Sequence, residues 1–248
     1  MEAERLIVSE MFFSIQGEGA SAGRPALFLR LAACNLNCPG FSYLAPLTGE
    51  HLGCDTKLVW KQGKAYSFAS IIQEWEQNNW LDKLRGGAHL VITGGEPLLQ
   101  QEKVAEFIKL LDTRSSSPIY IEIETNATIT PNLYLQQRIN QFNVSPKLIS
   151  SGESRDKRYQ LDTLKNFAAL PQAVFKFVVQ SNEDVAEIKT DYKTVLNLDT
   201  SRIWLMPEGG TLKAMQSKLQ MVAELCIENN FNFSPRLHIH IWDEATGK

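Results

Sequence analysis

The 248-residue sequence predicts an α/β fold built on a mostly parallel sheet, and three observations carry that expectation. Seven short apolar runs read as strands: Ala26–Leu31, His89–Thr93, Ile119–Glu124, Phe142–Ser145, Ala173–Val179, Ile203–Met206 and Arg236–Ile241. Helical patterns fall between most of them, which is the alternation that winds a parallel sheet. Finally, Cys34, Gly94, Thr125, Ser145, Gln180 and Pro207 sit at or just past the ends of successive runs. Ligands of parallel sheets bind at those carboxyl ends.

Each element has a local reason. Ala26–Leu31 is apolar but for Arg30, and His89–Thr93 closes on Gly94-Gly95-Glu96-Pro97 before a helical pattern running through Leu111. Ser67–Gln77 reads as a helix with Ser67 as N-cap, and Thr211–Asn229 as a longer one. Ser115–Pro118 and Ser150–Arg158 read as surface loops. In Arg236–Ile241, His238 and His240 fall two apart and share a strand face with Trp242; lining a substrate pocket and being half-buried strand residues are equal readings, and they are left out of the site.

Composition narrows the function. A 44% hydrophobic chain of this length can bury one full core, so a single domain over residues 1–248 is expected. A net charge of −3 without a basic stripe gives nucleic-acid binding little support. No run of eighteen apolar residues points to a membrane, and Met-Glu-Ala-Glu-Arg lacks a signal-peptide pattern. Four cysteines without a disulfide framework fit a reducing compartment, so a cytoplasmic location is expected.

The chemistry starts at Cys34, Cys38 and Cys54. Spacing alone leaves three readings open: incidental core thiols, a zinc site completed by His51, or an iron–sulfur cluster. A [4Fe–4S] cube takes one thiolate per iron, so three cysteines leave one iron for a small chelating molecule. The Gly94-Gly95-Glu96-Pro97 turn after a strand shifts the balance towards the cluster. Its glycines let a ligand approach the backbone, and Glu96 can accept from an ammonium group. Cys226, far off in a helical run, reads as a small buried apolar residue.

With Glu10–Gly19 (ending Ile15-Gln16-Gly17-Glu18-Gly19), Gly23–Leu36, Cys54-Asp55-Thr56, Thr93–Pro97, Ile123–Asn126, Val144–Lys147 and Leu237–Trp242, the chain resembles the radical S-adenosylmethionine (SAM) enzymes. Within them it resembles the 7-carboxy-7-deazaguanine synthase family. The resemblance sharpens the fold to an open partial (β/α) barrel. It implies a carbon–nitrogen lyase that contracts 6-carboxy-5,6,7,8-tetrahydropterin to 7-carboxy-7-deazaguanine with loss of ammonia, on the route to queuosine-type deazapurines. The implied cofactors are a [4Fe–4S] cluster on Cys34, Cys38 and Cys54, SAM, and Mg²⁺ on the Thr56 hydroxyl. Gly53, Asp55, Gly95, Glu96, Ser145, Pro146, Lys147, Met206, Pro207, Glu208 and Gly209 would bind SAM. Ile15, Gln16, Gly17, Arg30, Thr93 and Lys248 would bind the pterin. Arg30 in so apolar a strand calls for a partner: a substrate carboxylate, or Glu18 or Glu124 in a buried ion pair. A homodimer and a flavodoxin or ferredoxin as electron donor are implied as well.

One departure stands out. Residues 39–53 separate Cys38 from Cys54, where the superfamily has two residues, and Gly53 replaces the aromatic residue that normally lies beside the adenine. Closing the longer loop costs about 0.9 kcal/mol more, which three iron–thiolate bonds exceed. Its prolines and glycines predict a surface loop with little regular structure. Phe41, Tyr43, Leu44, Leu47 and Leu52 are expected over the cluster edge or on a docking surface. A glycyl-radical-activating SAM enzyme and a non-catalytic zinc module are the competing readings.

Overall fold

The computed structural model describes residues 4–115, 117–243, 245 and 247. Nine strands form one sheet: β1 (Arg5–Ile15), β2 (Pro25–Leu31), β5 (Lys64–Ser67), β6 (His89–Gly94), β7 (Ile121–Thr125), β8 (Gln141–Val144), β9 (Ala173–Val179), β10 (Ile203–Pro207) and β11 (Asn232–Phe233). A separate hairpin pairs β3 (Tyr43–Leu44) with β4 (His51–Gly53). The helices are α1 (Lys57–Trp60), α2 (Phe68–Gln77), α3 (Trp80–Arg85), α4 (Gln101–Arg114), α5 (Leu133–Arg138), α6 (Arg155–Arg158), α7 (Leu161–Ala169), α8 (Asn182–Glu187), α9 (Leu212–Asn229) and α10 (Leu237–Trp242).

The sheet order is β5-β1-β2-β6-β7-β8-β9-β10-β11. From β2 to β11 every neighbour is parallel; β1 and β5 are antiparallel additions at one edge. Among the described residues β5 and β11 do not pair, so the sheet is open, and the mostly parallel α/β architecture is as expected.

Period-two alternation sorts each parallel strand into two faces. Leu27, Leu29 and Leu31 of β2, Ile121 and Ile123 of β7, and Phe175, Phe177 and Val179 of β9 join Trp75, Phe107, Ile108, Phe167 and Val222 from the helices in one core. The opposite face carries Ala26, Phe28 and Val91 in a small second cluster, with Phe12 stacked on Phe28 at 4.9 Å. The same face then carries Arg30, Thr93, Glu124, Asn143 and Lys176, all of which line one cavity. Charges end up opposite the helices because helices can cover only apolar side chains without a desolvation cost.

Both helix predictions hold. Ser67 caps α2 by accepting from the Ser70 amide at 3.0 Å, and Thr211 caps α9 by accepting from Ala214 at 3.1 Å. Three expectations are corrected. Arg236–Ile241 is not a strand: Leu237–Trp242 is helix α10, and β11 occupies the last sheet position. The alternation in Leu-His-Ile-His-Ile is too short to distinguish strand from one helical turn. Asn232–Phe233 already takes the sheet position beside β10, and Arg236 at the head of the segment bonds Glu18 and Asp55 instead of continuing the sheet. Residues 39–53 carry the β3–β4 hairpin rather than an irregular loop. The stretch 150–158 is not a plain surface loop, because Ser151 and Arg158 are buried and Arg158 pairs with Glu187 at 2.6 Å.

Candidate active site

The cysteine loop leaves β2 through Ala33 and reaches Cys38, both in the left-handed backbone region. Its shape is held from across the molecule. The Glu153 carboxylate accepts from the amides of Asn37 and Cys38, the latter at 2.7 Å, and Asn126 Nδ2 donates to Asn35 at 2.9 Å. Cys34, Cys38 and Cys54 all line the cavity; the Cys34 thiol feels the charge of Cys54, and the Cys38 thiol that of both others. Burial raises the Cys34 thiol and pushes that of Cys38 up to about 12, while Lys147 pulls both down. A thiol so reluctant to ionise alone becomes a thiolate only against strong positive charge, such as iron.

The donor set fits a cluster. Among the described residues no three His, Cys, Asp or Glu side chains are grouped to hold one metal ion. A cube spreads its ligands one to each iron. His51, the rival ligand, lies outside the cavity lining and is exposed, with Nε2 2.9 Å from the Phe41 carbonyl. Cys226 is buried in the core, with its thiol pushed up to about 11, and matches its structural reading.

Thr56 lies on the cavity wall, its hydroxyl 3.3 Å from Cys54 Sγ. Asp55 beside it gives one carboxylate oxygen, Oδ2, to Arg236 at 2.7 Å. Gly53 has φ +77°, and a Cβ there would meet the Cys38 carbonyl oxygen at 2.4 Å.

Beyond β6, a Cβ on Gly95 would meet Ala33 O at 2.3 Å and Cys34 Cβ at 2.5 Å, so only glycine lets the turn press on the cysteine loop. Glu96 lies outside the cavity lining. Its carboxylate is wholly buried and accepts from the Leu98 and Asn126 amides at 2.9 and 2.7 Å and from Thr125 Oγ1 at 3.0 Å. Burial holds its pKa up at about 7 against those donors. Ser145 and Lys147 line the cavity after β8, whereas Pro146 does not. At the end of β10 and just beyond it, Met206, Glu208 and Gly209 line it, and Pro207 does not. The Glu208 carboxylate is already occupied: it accepts from Ser42 N at 2.9 Å and Ser42 Oγ at 2.8 Å and pairs with Lys218.

Ile15, Gln16, Gly17, Arg30 and Thr93 all line the same cavity. Gln16 Nε2 donates to Glu124 at 3.2 Å, and Thr93 Oγ1 donates to the other Glu124 oxygen at 2.8 Å. Arg30 pairs through Nε with Glu10 at 2.8 Å, neither Glu18 nor Glu124, and its Nη atoms bond no protein acceptor among the described residues. Lys248 lies outside the described residues.

The structure adds residues the sequence reading left out: Glu18, Glu124, Asn126, Asn143, Lys176, Arg236 and His238 line this cavity too. Lys176 was findable, since it interrupts the apolar run Ala173–Val179 as Arg30 interrupts its own. Glu18 pairs with Lys176 and, at 3.0 Å, with Arg236. Burial pushes the Glu18 carboxyl up, but Lys176, Arg236 and His238 outweigh it and leave it well below the usual carboxylate range. His238, set aside above, packs on Gly17 so tightly that a Cβ there would meet its Nδ1 at 2.2 Å. Burial lowers its pKa although Glu18 opposes the shift.

No family model matches the chain. It is 30% identical over 246 residues to the 7-carboxy-7-deazaguanine synthase of Pyrobaculum aerophilum, covering 98% of both chains. It is 31% identical over 262 residues to that of Halobacterium salinarum, covering 97% of this chain and 91% of the relative. The crystal structure of QueE from Escherichia coli superposes with a TM-score of 0.62 over 93% of each chain, at 24% identity, and so supports the fold. Similarity over nearly the whole length of curated relatives means that the chain belongs to the 7-carboxy-7-deazaguanine synthase family.

Proposed function

We propose that the chain catalyses the radical SAM ring contraction of 6-carboxy-5,6,7,8-tetrahydropterin to 7-carboxy-7-deazaguanine with loss of ammonia, in deazapurine biosynthesis. The observation that carries this is the convergence of three thiols, from two segments of the chain, on one cavity whose lining does not include His51. Cys34, Cys38 and Cys54 would hold a [4Fe–4S] cluster, which supplies the single electron that starts radical chemistry with SAM.

The remaining work belongs to the protein. The Gly94–Gly95 turn, Ser145, Lys147 and the Met206–Gly209 strand end would seat SAM beside the thiols. Arg30, its Nε fixed by Glu10, would turn its Nη edge to the substrate carboxylate. Gln16 and Thr93, each donating to Glu124, would offer with it donors and acceptors to the pterin edge. Thr56 would hold Mg²⁺ with the substrate carboxylate. Positioning at contact distance and exclusion of water are what such a reaction asks of a protein. A homodimer reduced by a flavodoxin or ferredoxin in the cytoplasm completes the reading.

The test is anaerobic incubation of the reconstituted protein with SAM, dithionite, Mg²⁺ and the carboxy-tetrahydropterin, followed by mass analysis. A product lighter than substrate by one ammonia, with SAM consumption far below product formation, is expected. SAM cleavage without that product would favour a different radical SAM activity.

A further inference from the structure

We propose that Tyr43, carried on the inserted hairpin, is the aromatic platform on which the purine of an S-adenosyl ligand stacks. The inference rests on the SAM reading above and assigns to the insertion a residue role in that site.

Tyr43 and Gly53 are register partners across the β3–β4 hairpin. Gly53 can carry no side chain, given its φ of +77° and the Cys38 carbonyl 2.4 Å from where a Cβ would lie. The neighbouring strand therefore supplies the only ring at this point of the hairpin pair. On its other side the ring lies against Gly210: a Cβ there would meet Tyr43 Cδ2 at 2.2 Å and Cε2 at 2.8 Å. Tyr43 thus sits between two glycines, one beside Cys54 and one beside Gly209, and all of these residues line the cavity.

The hairpin presenting the ring is tied down rather than adrift. Ser42, next to Tyr43, donates twice to Glu208, which Lys218 holds in turn. Gly40 N donates to Ser151 O at 2.8 Å, and His51 bonds the Phe41 carbonyl. A ring fixed at both ends of its strand loses little entropy on binding, which suits it to positioning a planar ligand.

Charge decides which planar ligand. The inner strand face carries Arg30, Glu124 and Lys176, a match for a carboxylated, polar ring. Beside Tyr43 stand Gly53 and Gly210; Glu208 is consumed by Ser42 and Lys218, and Asp55 and Arg236, which also line the cavity, by each other. A slot whose neighbouring charges are already paired, beside an aromatic face, fits a neutral nucleobase, for which stacking needs no matched polar partner.

The experiment uses anaerobically reconstituted holoprotein, with SAM and L-methionine as separate probes in equilibrium dialysis. Methionine shares SAM's chelating amino and carboxylate groups but has no purine. Tyr43→Leu is expected to weaken SAM binding about ten- to hundredfold while methionine binding and iron content stay at wild-type levels. Tyr43→Phe should keep wild-type affinity for both. Gly210→Ala, which displaces the ring with the tyrosine intact, should reproduce the selective loss. Unchanged SAM affinity in Tyr43→Leu, or equal loss of SAM and methionine, overturns the assignment. A wild-type protein that takes up iron but binds no SAM refutes the underlying reading instead.

Discussion

Replacing Arg236 by methionine probes the charge network that joins three parts of the site. The guanidinium pairs with Glu18 at 3.0 Å and Asp55 at 2.7 Å and donates to the Gly209 carbonyl. It therefore links the glycine turn after β1, the Cys54–Thr56 segment and the end of β10. Methionine keeps much of the volume and removes all three bonds. Glu18 retains Lys176, but Asp55 has no other ion-pair partner among the described residues. Breaking a buried pair by removing one member costs about 3–5 kcal/mol, because the other charge stays behind. The Asp55 side chain is 31% exposed, so solvent relieves part of that and the lower end, about 3 kcal/mol, is expected. That is a large share of a stability of about 5–15 kcal/mol, yet leaves the chain folded. Urea unfolding followed anaerobically by circular dichroism should show a lower midpoint at unchanged slope. Adding Asp55→Asn should return about 1–2 kcal/mol, since the stranded charge is then gone. Strict additivity of the two substitutions would refute the ion-pair argument. The pH dependence follows from the same pairs. Arg236 and the other cations hold Glu18 and Asp55 below their ordinary values of 4.5 and 3.8, so their stabilisation is complete above those values and is lost as pH falls through the depressed ones. Arg236→Met should flatten that acid limb.

Four further outcomes are expected. Serine at Cys34, Cys38 or Cys54 should abolish the visible cluster spectrum and activity together, while Cys226→Ser keeps both; an iron-replete Cys38→Ser protein would remove that residue from the ligand set. His51→Ala loses one exposed hydrogen bond to Phe41, so iron content should be unchanged, and its loss would mean that the hairpin supplies a ligand. Because burial holds Glu96 up at about 7, its share of stability is full below pH 4.5 and is lost as pH rises through about 7; Glu96→Gln should flatten that fall in urea midpoints, and parallel profiles would assign the slope elsewhere. Arg30→Lys should raise KM for the carboxypterin with iron content intact, since an ammonium lacks the planar two-point grip; lost stability at unchanged KM would make Arg30 only the partner of Glu10.

Much of this protein could be read from its residues alone, for a physical reason in each case. Strand–helix alternation is a local pattern, and it announced the parallel sheet from β2 through β10. Ser67 and Thr211 cap helices through bonds to amides three residues away, so their helices were legible too. The three-cysteine spacing and the glycine turn were visible because cluster ligation and close backbone approach each demand particular residue types. What stayed hidden depends on contacts between distant segments. Leu237–Trp242 alternates like a strand but is helix α10: Asn232–Phe233 already takes the sheet position beside β10, and Arg236 bonds Glu18 and Asp55, far away in the chain. No local pattern contains that pairing. The hairpin in residues 39–53 is stabilised by Glu208 and Ser151, again remote, so its glycines and prolines suggested only a loop. Glu96 looked free to meet an ammonium group until the fold surrounded it with two amides and a hydroxyl. Sequence determined which chemistry the chain carries; tertiary structure decided which side chains are left available for it, because burial and pairing are properties of neighbours that the sequence does not place side by side.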